Sequence, residues 1–515
     1  MRSQAPWVPD NGDGTYTNPV IFADYSDPDV IRVGQDCFMT ASSFNCIPGL
    51  PILHSHDLVN WTLIGHALHK QPPFAVYRTP QHGNGVWAPA IRFHEGQFYI
   101  FYPDPDFGIY LVKAPDAAGP WSEPLLVKSA KGWIDPCPFW DDDGNAYLVH
   151  AWVDSHCGIH SILTMNRMSP DGSKVLDEGR TVFDGTVSHP IIEGPKIHKH
   201  NGYYYIFAPA GGVTTGWQTV LRSRHIYGPY EDKIVMARGN SDVNGPHQGA
   251  WVRLGANEDW FIHFQDRGPY GRVVHLQPLV WRDDWPVIGN DVEGAGKGEP
   301  VSHYRKPGAS REYPLATPQT SDDFADPKLG LEWQWHANPE KQWLSLVHRS
   351  PGLRLFSVAQ HETTVNLWGV PNLLLQKFPG PEFCATTKME FQGLHAGNKA
   401  GLLVMGVDYS YLAVERTAAD YRLVKISCMD APGGSNEVLE DQRYLSNNCL
   451  YLRVTIETGA LCNFSYSEAG NTFVRLGEPF AARAGFWIGA KVGLFSIANR
   501  PNDGYADFVR FRIER

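Results

Sequence analysis

No Cys-x-x-Cys pair occurs in this chain, and its eight cysteines (positions 37, 46, 137, 157, 384, 428, 449 and 462) follow no repeated spacing. That removes the usual sequence basis for a structural zinc site or a redox dithiol, and the thiols read as mostly free and buried. No apolar run approaches the ~18 residues needed to cross a bilayer, so no membrane partner is expected. The amino terminus, MRSQAPWVPDNGDG, lacks the apolar core of a secretory signal. A cytoplasmic location is expected on that ground, unless a leader has been removed. A basic face is also missing: 44 Lys and Arg against 55 Asp and Glu leave a formal charge of −11, which argues against a nucleic-acid partner. Gly-x-Gly-x-x-Gly, Walker and Gly-x-Ser-x-Gly motifs are absent, so nucleotide and acyl chemistry have no support. Helical periodicity between strands is absent too, which excludes a doubly wound α/β fold.

What the chain has in quantity is aromatic residues and turn formers. Seventeen Trp and 22 Tyr stand beside 50 Gly and 39 Pro, a mixture that suits many short strands joined by tight turns. An aromatic strand following a polar turn recurs five times. The copies are GQDCFMTA around Phe38, EGQFYIFY around Tyr99, DGNAYLVH around Tyr147, NGYYYIFA around Tyr205 and NEDWFIHF around Phe261. They lie roughly 50 to 60 residues apart, beyond the ~40–45 of the commonest propeller repeat. A weaker signature, a turn before an aromatic edge, follows three of them, at His54–Gly65, Val112–Pro124 and Arg222–Lys233. One supersecondary unit copied in this way and closed into a ring leaves few unpaired edges. The expected fold class is therefore all-β, with a five-bladed β-propeller over residues 1–300.

The texture then changes. GNDVEGAGKGEPVSHYRKPGASREYPLATPQTSDDF is rich in Gly, Pro and Ser and lacks alternation, which assigns a linker to residues 301–320. Strand-like runs resume beyond it without the blade repeat: LRLFSVA, NLLLQKF, CATTKMEF, GLLVMGV, YLAVERT, YRLVKIS, YLRVTIE and GAKVGLFS. Their short, even spacing predicts a two-sheet β-sandwich over residues 321–515.

About a dozen residues before each aromatic mark stand Asp27, Trp87, Asp135, Glu193 and His247. If each begins the inner strand of a blade, the five side chains meet at one end of a central axis. Asp27-Pro28 alone is an ordinary turn dipeptide, but Asp135-Pro136 repeats the pairing in another copy. Glu193 precedes a Gly-Pro break and follows Ile191 and Ile192, an apolar setting that raises a carboxyl pKa and suits a general acid. Glycoside hydrolysis needs one carboxylic acid to protonate the leaving oxygen and one carboxylate to activate water or attack carbon. A third can hold the acid's pKa up through like-charge proximity. On sequence alone His247 reads as a hydrogen-bonded core imidazole. Asp10–Gly14 and Asp141–Gly144 look like calcium-loop openings, but no Glu closes either, and both read as turns. His54 with His56, and His198 with His200, have His-x-His spacing without a third ligand nearby in sequence and read as surface residues.

Five stretches closely resemble glycoside hydrolase family 43: NPVIFADYSDPDVIRV (Asn18–Val33), ASSFNCIPGLPILHSHDLVNW (Ala41–Trp61), GVWAPAIRFHEGQFYIFY, WIDPCPFWDDDGNAYLV and IIEGPKIHKHNGYYYIF. That family contains five-bladed propellers acting as β-xylosidases and α-L-arabinofuranosidases. SDDFADPKLGLEWQWHANP resembles the concanavalin-like jelly-roll sandwich appended in its xylosidase-like branch, where the sandwich helps close the pocket. The resemblance implies that Asp27 is the general base, Glu193 the general acid and Asp135 the residue that tunes and orients the acid. It places Phe44, Trp87 and Ala88 in the sugar subsite and Arg272 against substrate. It also implies a largely hydrated Ca²⁺ on the propeller axis beside His247, an atypical site for an ion that normally takes 6–8 oxygens. The implied activity is inverting, exo-acting release of xylose and/or arabinose from xylo- and arabinoxylo-oligosaccharides. Two alternatives stay open: a chain that is mainly an α-L-arabinofuranosidase, and a propeller that binds glycans without cleaving them. A retaining fructan hydrolase ranks below these, because no Trp-x-Asn-Asp-Pro type opening is present. The oligomeric state is left open.

Overall fold

Two of the polar turns that precede the aromatic marks carry two consecutive residues with positive φ, Glu95-Gly96 (46° and 78°) and Asn201-Gly202 (48° and 74°). That is the backbone of the tightest hairpin, whose twist matches that of the flanking strands. It pairs Ala90–His94 with Gln97–Asp104, and Lys196–His200 with Tyr203–Ala210. The computed structural model describes residues 5–308, 312–346, 352–501 and 504–515.

Each aromatic mark forms the second strand of a four-stranded antiparallel blade, and each blade is built in chain order from the axis outward. The first blade runs from Asp29–Val33 to Thr62–Leu68, and the second from Ala90–His94 to Leu125–Ser129. Trp133–Trp140 to Arg180–Asp184 forms the third, Lys196–His200 to Glu231–Ala237 the fourth, and His247–Gly255 to Trp285–Ile288 the fifth. Apolar side chains from neighbouring blades interdigitate. Val30, Met39 and Leu53 of the first blade share one cluster with Ala250, Ile262 and Val274 of the fifth. The ring is fastened at that seam. Asn18 donates from Nδ2 to the carbonyls of Leu276 and Val301 and accepts from Leu276 N, each at 2.8 Å. Part of the expected linker is regular: His303–Arg305 pairs antiparallel with Thr15–Thr17, so the chain returns to its own start before leaving the propeller. The Asp10 and Asp141 segments are turns, as read, with Gly12 N bonded to Asp10 Oδ1 and Gly144 N to Asp141 O.

Among the described residues the carboxy-terminal domain is a concanavalin-like sandwich of two eight-stranded sheets. All eight runs read from sequence carry strand, with LRLFSVA divided into Leu353–Phe356 and Val358–Ala359, one in each sheet, and three more long strands join them: Val438–Leu445, Leu461–Ser467 and Tyr505–Glu514. The first of these, VLEDQRYL, is an edge strand with mostly exposed side chains, so it lacks the alternation that burial on one face imposes.

The two halves are joined by a built interface. Ile47 and Trp335 exchange both backbone hydrogen bonds, and Phe22, Tyr270 and Val273 of the propeller belong to the sandwich's main apolar cluster. Buried Asn338 accepts from Gln71 N at 2.7 Å and donates to Gln71 O at 2.9 Å, while its own N–H bonds to Tyr77 O. Replacing Asn338 with Ala leaves both Gln71 backbone groups buried and unpaired, at roughly 1–3 kcal/mol for a stranded group. Asn338→Ala should therefore lower the melting temperature measured by calorimetry, and an unchanged value would remove this contact from the interface.

Candidate active site

The sites for function are set by backbone that strands alone do not provide. Asp27 and Asp135 both sit in the left-handed region, at φ 55° and 56°, a conformation Asp tolerates better than most residues. Their shared geometry and shared following proline make them structural equivalents in two blades. Asp135 lies inside its strand at a bulge, where the ladder skips between Ile134 and Cys137, because Pro136 has no N–H to give. Phe44 (φ 51°) is held by a two-way backbone bridge to Val86. Any Cβ at Gly85 would lie 2.4 Å from the Phe44 carbonyl oxygen, so only glycine lets these segments meet.

Seven of the eight residues singled out from sequence line one cavity of about 280 Å³: Asp27, Phe44, Trp87, Ala88, Asp135, Glu193 and Arg272. The eighth, His247, lies behind Glu193, with Nε2 3.3 Å from Glu193 Oε1. That contact is close but outside hydrogen-bond geometry, and neither ring nitrogen has a partner.

The carboxyl groups differ in what surrounds them. Asp27 is 4% exposed and sits among donors. Its Oδ2 accepts from the Ser26 and Ser42 hydroxyls at 2.7 and 2.5 Å, and Arg272 Nη1 lies 3.3 Å from Oδ1. Asp135 Oδ2 accepts from Gly194 N at 2.7 Å, which ties it to the backbone of the residue after Glu193. Burial pushes the Asp135 carboxyl up to about 6, with the Asp27 charge adding to the rise and buried Lys196 opposing it. Glu193 keeps 24% of its side chain open to the cavity and has no hydrogen-bond donor. Burial first, then the charges of Asp135 and Asp27, push it up to about 8, against the pull of Arg272. The apolar setting inferred from Ile191 and Ile192 is half right: Ile192 is buried, whereas Ile191 is 48% exposed and forms a wall of the cavity. His247 is pushed down to about 3 by burial, with Arg272 and His263 contributing, so it is neutral.

Several residues of the site were not legible in sequence. Ser42 and Lys196 lie within the family-like stretches and Gln248 follows His247, but none of the three was singled out. Trp487 comes from the sandwich, over 200 residues from the other lining residues, and enters the same cavity. Its ring centroid lies 6.1 Å from that of Trp87, and the Arg272 guanidinium lies 5.4 Å from it. Ile488 packs with Phe44 and Cys46. Asp24 binds both domains here, accepting from Arg272 N at 2.9 Å and from Gly489 N at 3.0 Å. A second compartment of about 460 Å³ adjoins the first and shares Trp87, Ser155, Arg272 and Trp487 with it, adding His82, His156 and Phe486.

The chain matches the description "Glycosyl hydrolases family 43" over residues 16–286 and "Beta xylosidase C-terminal Concanavalin A-like domain" over residues 321–514. It belongs to glycosyl hydrolase family 43. The family 43 assignment makes the chain a glycoside hydrolase and agrees with the resemblance read from its motifs. A β-xylosidase of Formosa agariphila is 34% identical over 98% of this chain and 91% of its own. A non-reducing-end α-L-arabinofuranosidase of Bacteroides ovatus is 28% identical over 96% and 94%. The crystal structure of a xylan β-1,4-xylosidase from Bacillus halodurans superposes with a TM-score of 0.85 at 25% identity, covering 97% of this chain and all of that one.

The Glu193 shift can be measured directly. Carboxyl infrared difference spectra should show Glu193 losing its proton near pH 8 as pH rises. Removing a neighbouring negative charge with Asp135→Asn should move that loss to lower pH, because the ionised form is then less opposed. A Glu193 band already ionised at pH 6 would contradict this electrostatic arrangement.

Proposed function

We propose that this enzyme is an inverting, exo-acting β-xylosidase with α-L-arabinofuranosidase capacity, working on xylo- and arabinoxylo-oligosaccharides. The carrying observation is the split among its carboxyl groups: Asp27 is surrounded by donors, while Glu193 has none among the described residues and is pushed up by burial and by the charges of Asp135 and Asp27. In this reading Asp27 is the general base that deprotonates water, and Glu193 is the general acid that protonates the departing oxygen. Asp135 acts through Glu193, raising its pKa by charge and fixing its backbone through Gly194. Phe44, Trp87 and Ala88 hold the terminal sugar, and Arg272 orients Asp27 and contacts substrate. The cavity of about 280 Å³ is at or below the ~300–1,000 Å³ usual for ligand sites. It suits one sugar unit, with the rest of the oligosaccharide in the outer compartment. The names of the Formosa and Bacteroides relatives support xylose and arabinose respectively, and the two pentosides present similarly placed hydroxyls. A binding-only propeller is disfavoured, since recognition alone would not call for a neutral acid beside a donor-bound carboxylate.

Asp27→Asn should lower turnover by ~10²–10⁴-fold on nitrophenyl β-xyloside and α-L-arabinofuranoside, which also ranks the two sugars, and Glu193→Gln should do so on xylobiose, whose leaving oxygen needs the proton. Proton NMR of the first xylose released by the native enzyme should show the α-anomer before mutarotation. Initial β-xylose would overturn inversion, and full activity in a folded variant would remove that residue from its role.

A Ca²⁺ at His247 is part of the same proposal. The imidazole is neutral and its ring nitrogens are unpartnered, which leaves a donor available. No trio of metal-donor side chains including His247 is found among the described residues, so water would supply most of the oxygens. Such an ion would bring positive charge close to the buried acids. Calcium should then bind the chelated protein in calorimetry and raise its melting temperature, and His247→Ala should lose both effects. Absence of both in the native protein would defeat the assignment.

A further inference from the structure

We propose that Asp36, His54 and His56 form a second metal site, for a divalent transition ion of the Zn²⁺ class, at the opposite end of the first blade from Asp27. Among the described residues, one trio of potential metal donors converges, and its ligand atoms all lie within 4.8 Å of one another. Asp36 Oδ1 stands 2.7 Å from His54 Nε2 and 3.1 Å from His56 Nδ1. Donors about 2.0–2.2 Å from a tetrahedral zinc stand roughly 3.3 Å apart, so small side-chain rotations would admit the ion.

The fold explains how the trio assembles. His54 and His56 lie at the end of the third strand of the blade, Gly49–Ser55, and Asp36 opens the second, Asp36–Thr40. The antiparallel register sets Cys37 opposite Ser55 and Phe38 opposite His54. It therefore brings the carboxylate to the His-x-His pair, the third ligand that sequence spacing did not supply. Pairing Asp29 with Thr40 and Val33 with Asp36 puts this corner at the far end of the strands from Asp27.

Two imidazoles and one carboxylate favour zinc and its first-row neighbours over calcium or magnesium, which take oxygen ligands. The side chains are 25%, 44% and 41% exposed for His54, His56 and Asp36, so an ion can enter and water can complete the shell. The opposite side of His56 is occupied. Its ring stacks on Tyr313 at 5.3 Å and 20°, in the segment joining propeller and sandwich. A bound ion would fix His56 and thereby hold that segment against the first blade.

The test is zinc titration of the full-length, chelator-stripped enzyme by calorimetry, with Co²⁺ absorption as a second readout. The native chain should bind one saturable equivalent, its melting temperature should rise with zinc, and Co²⁺ should give the intense visible bands of a tetrahedral site. Asp36→Asn should weaken binding at least tenfold, and the His54→Ala/His56→Ala pair should abolish it. His247→Ala should leave it intact, which separates this site from the axial one, and circular dichroism reports that each variant is folded. Absence of a saturable equivalent, or undiminished affinity in the double variant, overturns the proposal. Should the double variant fail to fold, a Co²⁺ spectrum unchanged by Asp36→Asn overturns it equally.

Discussion

Three carboxyl groups gathered in one buried hollow oppose one another's ionisation, and the rest of this structure depends on how that is made tolerable. An isolated buried charge is far more costly than the few kcal/mol of net stability a domain has to spare. The chain meets the difficulty unevenly. Asp27 is given two hydroxyls and a guanidinium, and Asp135 a backbone N–H and the nearby Lys196 ammonium. Glu193 is given almost nothing and keeps its proton. The pocket's chemistry is thus a consequence of which acid was left without donors. The closed ring matters because it brings side chains from three separate blades to one cavity.

The sandwich takes part in this arrangement. Asp24 accepts from Arg272 on one oxygen and from Gly489 on the other, so the loop that delivers Trp487 and the arginine beside Asp27 share an anchor. Close packing enforces it: a Cβ at Gly489 would lie 2.6 Å from Gly271 N, and one at Gly271 would lie 2.5 Å from the Asp24 carboxylate. Docking of the second domain and placement of the Arg272 backbone therefore share one carboxylate. An interface that also includes the Ile47–Trp335 bridge and buried Asn338 is much more specific than a tethered module needs.

The blades and the positions of the acids were legible because a repeat makes equivalent residues visible without coordinates. Asp27 and Asp135 confirm that equivalence down to the backbone, with φ values one degree apart. The eight sandwich strands found from sequence are those whose apolar runs survive on a buried face. What stayed hidden has a common physical character. Trp487 reaches the pocket through tertiary docking, which no local pattern encodes. Ser42 and Lys196 act as single polar residues whose importance lies only in which buried carboxyl they face. Asp36 was separated from the His54–His56 pair by a strand and a turn, and only antiparallel register shows that the three meet. The strand His303–Arg305 lay in a segment whose Gly and Pro content marks loops, yet one partner strand at the amino terminus was enough to order it.

Arg272 resolves the remaining tension in the hollow. A cation among three acids would ordinarily favour ionising all of them, which would remove the proton that Glu193 needs. Here the guanidinium bonds to Asp27 and Ser26, and its face lies over Phe264 and Trp487, 4.7 and 5.4 Å from the ring centroids. Its donors are thereby directed to one carboxylate, and Glu193 feels only the residual field, which Asp27 and Asp135 outweigh. The His247 imidazole itself adds no charge beside Glu193, because burial keeps it unprotonated. A guanidinium committed to Asp27 and covered by aromatic rings is what allows a donor-bound carboxylate and a protonated acid to share the same pocket.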